Sequence, residues 1–346
     1  MKAFSAARDL RIDVLKLLCA QCIVLHHFSA YGPVSQALEV AAPAVSRWLY
    51  DYGRMAVQVF LVLGGYLAAG ALERAFQAKR SSLGAMVFKR YLRLALPLLA
   101  ALVLVSLTAS AVRVWMSDAY LPGAPTWVQA ASHVLLLQDV LGIEALSVGV
   151  WYVAIDFQLY VVMALMGWVG HRLAWGHATR MGVGALLVAS LFVVNRDVHW
   201  DAWAPYFFGA YGMGALVFWT QRSTHRRWWL AGLALLVGAA LVVDFRERLV
   251  LAWVTALVLA VPMGAALQSP PRIARWVARL GQSSYALFLV HFAVLMLVNL
   301  GFSQLDGVGA EAAMFALVLG AVLSTALGIV FARWVEAPLS RWVERR

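Results

Sequence analysis

AAMFALVLGAVLSTALGIVFAR occupies positions 312–333, and no charged side chain interrupts it before Arg333. A helix of that length, at about 1.5 Å of rise per residue, crosses the roughly 30 Å hydrocarbon layer of a bilayer. Nine further apolar runs lie near 12–31, 54–73, 91–112, 150–169, 181–195, 203–220, 229–243, 250–267 and 282–300. The runs at 181–195 and 229–243 are short, so their ends are the least defined. The whole chain has 346 residues, of which 63% are hydrophobic and 13% charged, with a mean hydropathy of +0.78. Soluble domains carry about 25% charged residues, so a water-soluble globule is excluded. Two cysteines, Cys19 and Cys22, cannot build a disulfide scaffold. Gly and Pro contents of 26 and 10 exclude collagen-like repeats. The expected fold is an all-α, polytopic integral membrane bundle of about ten transmembrane helices, forming one membrane domain over 1–346 with no fused soluble domain.

The net charge of +11 follows the connections between runs. Of the 28 Lys and Arg residues, 21 fall in one set of connections. Six (Arg47, Arg54, Arg113, Arg196, Arg246 and Arg248) fall in the other, and Lys16 stays inside a span. By the positive-inside rule both termini are expected to be cytoplasmic. Asp51, Asp118, Asp139, Glu144, Asp197, Asp201, Asp244 and Asp306 fall on the opposite, outer side. The basic excess therefore orients the chain, and a nucleic-acid partner is not expected. Asp13 and Lys16 within the first apolar run argue against a cleavable signal peptide. The longest connection, 113–149, combines aromatics, Pro and a short apolar helical stretch, and is expected to form an outer cap or re-entrant segment.

Chemistry is sought among polar groups within spans, because an ionisable side chain there costs about 2.5–3.5 kcal/mol even on lenient insertion scales. In the first run Lys16 and His27 are eleven residues apart, about three helical turns and roughly 16 Å, so they share a face. Asp13, three residues before Lys16, stands on the same stripe. FKRYLRLALP at 88–97 places Lys89, Arg90 and Arg93 at a membrane surface, where arginines suit phosphate and diphosphate groups. WYVAIDFQLY at 151–160 buries Asp156 near Tyr160. GQSSYALFLVH at 281–291 carries Ser284 and Tyr285 one to two turns before His291, and Glu336 follows the last run. For His291, helix-to-helix hydrogen bonding and chemistry are both open. Cys19 and Cys22 are read as packing residues, and the adjacent His26 and His27 diverge by about 100° around a helix, so no metal site is expected.

These blocks, taken in order, resemble acyltransferase family 3, integral-membrane enzymes that O-acylate glycans, lipid-linked sugars and related acceptors. They are DVLK with His27–Phe28 after it, VQVFLVLGGYL at 57–67, FKRYLRLALP, WYVAIDFQLYVV at 151–162, LGQSSYALFLVHF at 280–292 and WVEAPL at 334–339. The resemblance covers nearly the whole chain. The family's Arg/Lys-x10-His motif falls on Lys16 and His27, and its RxxR pair on Arg90 and Arg93. Lys16 is the rarer basic choice, Gly64 replaces the usual Ser before Gly65, and Asp156 stands where Glu is commoner.

The resemblance implies an acyl-CoA-dependent O-acyltransferase of the bacterial inner membrane, moving acetyl from acetyl-CoA to a carbohydrate or lipid-linked glycan. It implies catalytic roles for His27, Lys16, Asp13 and Asp156, and donor binding by Lys89, Arg90 and Arg93. Tyr160, Ser284, Tyr285, His291 and Glu336 are candidate substrate contacts. His27 acts either as general base or as a nucleophile forming an acyl-histidine. The axial offset between Lys16 and His27 implies an acceptor arriving from the periplasmic side beneath 113–149, with membrane lipids as the surrounding partner. The alternative is a transporter or flippase of an anionic or glycolipid substrate, which also places ionisable groups along a path. Gly- or Pro-broken helix pairs in two matching halves, expected of many transporters, are not visible.

Overall fold

The computed structural model describes residues 9–78, 82–173, 177–261, 272–305 and 309–345. Lys2, Arg8, Lys79, Arg80, Arg346 and Asp306, used above for orientation, lie outside the described residues, as does the end of the 250–267 run.

The described residues form helices and no strands. In chain order these are α1 (Leu10–Ala30), α2 (Gly32–Ala41), α3 (Pro43–Tyr52), α4 (Ala56–Gln77), α5 (Leu83–Val112), α6 (Trp127–Leu135), α7 (Val150–Arg172) and α8 (Ala178–Phe192). They continue as α9 (Ala204–Thr220), α10 (Arg226–Val243), α11 (Glu247–Ala260), α12 (Arg272–Gln282), α13 (Ser284–Ser303), α14 (Ala310–Phe331) and α15 (Ala337–Arg345). A π-helical turn, Ala332–Glu336, joins the last two. Each predicted apolar run is helical over nearly all of its described residues, and among those residues eight stretches are long and apolar enough to cross a membrane. The run at 203–220 forms α9, which is not among them, and the described part of the run at 250–267 belongs to α11. The short run at 229–243 belongs to an 18-residue helix that begins at Arg226.

The chain divides into two compact units. The first contains Met1–Leu15, Gln58–Arg90 and Ile155–Ala278; the second contains Lys16–Val57, Tyr91–Ala154 and Arg279–Arg346. Each is organised around a helix that is apolar on all sides, the signature of a core element. In the first unit this is α9, buried over nearly all its length. At 17 residues it is only about 25 Å long, and protein rather than lipid surrounds it. Gly65 and Gly214 bring α4 and α9 into backbone contact, since a Cβ on either would stand under 2 Å from a carbonyl oxygen of the other helix. In the second unit the core helix is α13. Its window is 72% buried, against 17% for α10 on the periphery of the first unit. Gly328 of α14 abuts Leu287 of α13, and Gly320 faces the Phe28 ring of α1.

The 113–149 segment belongs to the second unit. It contains α6, whose start is fixed by a capping box between Thr126 and Gln129. The Tyr91 hydroxyl donates to the Val134 carbonyl at 2.5 Å. Tyr91 lies 21 positions before Val112, about 31 Å of helical rise. The chain that leaves α5 at Val112 therefore doubles back along most of that helix before α7 begins.

Candidate active site

In the second unit, the C-terminal end of α1, the start of α7, the middle of α13 and the 113–149 segment enclose a cavity of about 500 Å3. Its wall includes His26, His27, Tyr31, Arg54, Tyr120, Asp139, Glu144, Trp151, Tyr152, Phe288 and Phe292. Aromatic faces with a few carboxylate, guanidinium and imidazole groups can stack on and hydrogen-bond a polar organic ligand. The Tyr31 phenol can donate a hydrogen bond, and burial, with nearby Asp118, raises the pKa of the Tyr120 phenol, so that it keeps its proton as a donor. The Tyr120 hydroxyl is buried without a hydrogen-bond partner among the described residues. Gly149 adopts φ +80°, and a Cβ there would stand 2.8 Å from the Phe288 ring. Glycine thus lets the backbone entering α7 close against α13.

His27 is buried in this wall, and its Nδ1 lies 2.7 Å from Nε2 of His291 on α13. The two rings are nearly parallel, with centroids 4.9 Å apart. Nδ1 of His291 lies 2.7 Å from the Phe288 carbonyl oxygen. The structure thus brings together one residue expected to be catalytic and one expected to contact substrate.

Lys16 lies eleven residues before His27 on α1, within electrostatic reach of Glu336. Glu336 ends the π-helical turn, and its Oε2 is buried without a hydrogen-bond partner among the described residues. Gln21 of α1 donates to Thr325 of α14 at 2.9 Å, which keys the two helices together between these levels. Arg93 pairs with Glu344 of α15, both well exposed. Ser284 is buried at the start of α13, and the Tyr285 hydroxyl donates to the Leu94 carbonyl at 2.9 Å. Tyr285 therefore ties α13 to α5 and is not among the cavity-lining residues.

The first unit holds a separate cluster. Arg90 of α5 donates to Asp156 of α7 at 2.5 Å and lies over the Tyr160 ring, 5.3 Å from its centroid. The carboxylate is nearly buried, and a third of the Arg90 side chain remains exposed. Tyr211 of α9 packs beside Asp156 across Gly64, where a Cβ would stand 3.2 Å from the Tyr211 ring and 3.4 Å from Asp156 Oδ1. The Tyr211 hydroxyl and Arg90 Nε are buried without hydrogen-bond partners among the described residues. Arg90 and Arg93 share a helix but have different partners, a carboxylate in the interior and one at the surface. Lys89 is half-buried on the same turn of α5, and Asp13 is buried on α1.

Tyr120, Tyr211 and Glu344 are contacts that the motifs do not mark. Tyr120 sits in the connection already singled out by its length, and Glu344 lies in the basic tail. Tyr211 lies in an apolar run with no other signal.

The sequence profile of the acyltransferase domain, type 3, matches residues 9–333. The chain belongs to that family. No curated protein and no solved structure shows significant similarity to it. Membership, with the apolar helices, makes the protein a multi-pass membrane acyltransferase.

Proposed function

We propose that this acyltransferase moves acetyl from acetyl-CoA to a hydroxyl of a cell-envelope carbohydrate or lipid-linked glycan, with His27 as general base, in a bacterial inner membrane. The observation that carries the reading is a buried imidazole, hydrogen-bonded on one nitrogen, in the wall of an aromatic-lined cavity of about 500 Å3. In such a site the acceptor O–H gives its proton to imidazole as its oxygen attacks the thioester carbonyl. The C–O bond forms, the C–S bond breaks, and the thiolate leaves with the proton that imidazole returns. The phenols of Tyr31 and Tyr120 supply donors along the wall.

The donor is anionic and the termini cytoplasmic on this reading, so its phosphates meet the basic ends of α1 and α5. Arg93 is the available arginine. Its exposed pair with Glu344 belongs to a class worth about 0–1 kcal/mol and yields readily to a phosphate. Lys16, in the same unit as Arg93, adds a second cation. Arg90 instead holds Asp156, so Asp156 shapes the interior through that arginine, and Asp13 orients Lys16 one turn away on α1.

The test is transfer of radiolabelled acetyl from acetyl-CoA into lipid and glycan fractions of membranes expressing the native chain, His27→Ala or Arg93→Ala at matched levels. Label is expected with the native chain, none with His27→Ala, and a raised KM for acetyl-CoA with Arg93→Ala. Label that persists in His27→Ala overturns the base assignment. No label with folded, inserted protein overturns the acetyl donor, and failure with succinyl-CoA and longer acyl-CoA as well overturns CoA dependence.

A further inference from the structure

Nδ1 of His291 faces the Phe288 carbonyl oxygen at 2.7 Å, and a carbonyl oxygen only accepts. Nδ1 of His291 therefore carries the hydrogen. In a neutral imidazole the other nitrogen then presents a lone pair. That nitrogen, Nε2, is the atom 2.7 Å from Nδ1 of His27, so His27 donates from Nδ1. Each step follows from which atoms can donate, and the chain ends with the lone pair of His27 on Nε2. The arrangement is held firmly: His291 is fully buried, and Phe288 is wedged against Gly149 and packs edge-on to Tyr152 at 5.7 Å.

We propose that His291 is a positioning residue that holds His27 in its Nδ1–H form, with Nε2 as the nitrogen bearing the lone pair. The tautomer stands on the hydrogen-bond geometry alone; its catalytic consequence rests on the reading of His27 as the base. During transfer, Nε2 takes the acceptor's proton and returns it to the departing thiolate. The Nδ1 hydrogen stays on His27 throughout, and its bond to His291 Nε2 stabilises the imidazolium that exists between the two transfers. Without His291, Nδ1 loses its acceptor and the ring is free to tautomerise or turn, so the lone pair is no longer fixed at one atom.

The experiment is nitrogen-15 NMR of histidine-labelled full-length protein in nanodiscs, with the His27 signals identified by their loss in His27→Asn. The expected native spectrum shows a protonated Nδ1 and an unprotonated Nε2 at His27. His291→Ala should reverse or average that pattern. His291→Gln, whose amide oxygen can accept in place of Nε2, should keep it. In acyl-transfer kinetics His291→Ala should lower kcat by about 10²–10³-fold, within the range for losing general-base catalysis, with KM for the donor little changed. His291→Gln should recover most of the loss, which a purely packing role would not produce. A native His27 protonated at Nε2, or a His27 spectrum unmoved in both His291 variants, overturns the proposal. A native spectrum as expected, in a protein that transfers no acyl group from any donor, supports the tautomer assignment and removes the base role instead.

Discussion

Adding one methyl group at Gly65 should destabilise the first unit more than most single substitutions in this chain. A Cβ at that position would stand 1.8 Å from the Tyr211 carbonyl oxygen, and one at Gly214 would stand 1.9 Å from the Val62 carbonyl oxygen. Carbon–oxygen contacts settle at about 3.3–3.6 Å, so α4 and α9 must part by about 1.5 Å. Backbone atoms on both sides leave no rotamer to relieve the clash. α9 is buried along nearly its whole length and packs on α8 and α11, so its displacement opens gaps elsewhere. A gap of 0.5–1 Å already forfeits a quarter to a half of a dispersion contact. Overpacking usually costs about 1–3 kcal/mol, and Gly65→Ala should sit at or above the top of that range. Because either methyl forces the same separation, Gly65→Ala with Gly214→Ala should cost much less than the sum of the two. Gly238 on α10 has nothing within 4 Å of its would-be Cβ, so Gly238→Ala serves as the control and should be neutral or stabilising by up to about 1 kcal/mol. Thermal unfolding in mixed micelles followed by size-exclusion profile reads the native protein and the four variants, Gly214→Ala alone included. A Gly65→Ala protein as stable as the native one, or full additivity in the double variant, would refute the backbone-contact reasoning.

Asp156→Asn strands the Arg90 guanidinium; removal of one partner from a buried pair costs about 3–5 kcal/mol, and the one-third exposure of Arg90 places this case at the low end. Glu344→Gln, which breaks the exposed pair with Arg93, should shift the same melting series by less than about 1 kcal/mol. Asn299 accepts from the Val34 N–H at 2.9 Å and donates to the Tyr31 and Leu295 carbonyls, while Gly32 beside it adopts φ +79°. Asn299→Leu leaves a buried N–H unsatisfied and should cost about 1–3 kcal/mol, visible as faster hydrogen exchange at 31–35. His133 is fully buried, with Nδ1 donating to the Gln129 carbonyl and Nε2 accepting from the Leu146 N–H. Burial lowers its pKa from the ordinary 6.5, against smaller opposing effects of the Gln129 carbonyl and Asp139. The unfolded chain then binds the proton first, so this contribution to stability is full above about pH 6.5 and is lost as pH falls toward the lowered value. Exchange protection at 127–147 should fall with pH in that window, and His133→Phe should flatten the dependence.

The helices were legible because an uninterrupted apolar run has one stable form inside a bilayer. Polar residues were legible for the same reason, since each breaks such a run, and that signal singled out His27, Asp156 and His291, while Glu336 stood just beyond the last run. Their partners were not legible. His27 and His291 are 264 positions apart, and Arg90 reaches Asp156 across 66; neither spacing has a local period to read. The one-turn interval between Arg90 and Arg93 suggested a common ligand, whereas packing gives the first an interior carboxylate and the second a surface one. At 17 residues, α9 shows the limit of the length criterion. A core helix surrounded by protein need not match the bilayer. The doubling back of 113–149 rests on a single phenol–carbonyl bond between Tyr91 and Val134, and only the length of that segment and its short apolar helical stretch were visible beforehand.

The two units place their polar groups by one rule. In each, an all-round apolar helix forms the core, and a histidine or tyrosine on it, His291 on α13 or Tyr211 on α9, meets a polar residue from a neighbouring helix. Burying such groups costs free energy unless each is hydrogen-bonded. At His291 both nitrogens are satisfied, so the residue fixes a direction, and what it fixes is the proton pattern of His27. At Tyr211 the hydroxyl has no hydrogen-bond partner among the described residues, and neither has Nε of Arg90. Gly64 is the reason the space between Tyr211 and Asp156 is open, because a serine there would carry a hydroxyl into it. Against the serine that the family resemblance implies, glycine removes a hydrogen-bonding group beside two buried donors that stand unsatisfied among the described residues, the Tyr211 hydroxyl and Arg90 Nε. Restoring it tests this directly. Gly64→Ser should stabilise the protein if the hydroxyl reaches Asp156 or Tyr211, because a hydrogen bond to a charged group is worth about 1.5–3 kcal/mol, and the 3.2 Å approach of the new Cβ to the Tyr211 ring sets the steric cost against it. Gly64→Ala carries the same Cβ without the hydroxyl, so the difference between the two melting temperatures isolates the hydrogen bond. Equal temperatures for the two variants would show that the space between Tyr211 and Asp156 makes no demand for a donor or acceptor.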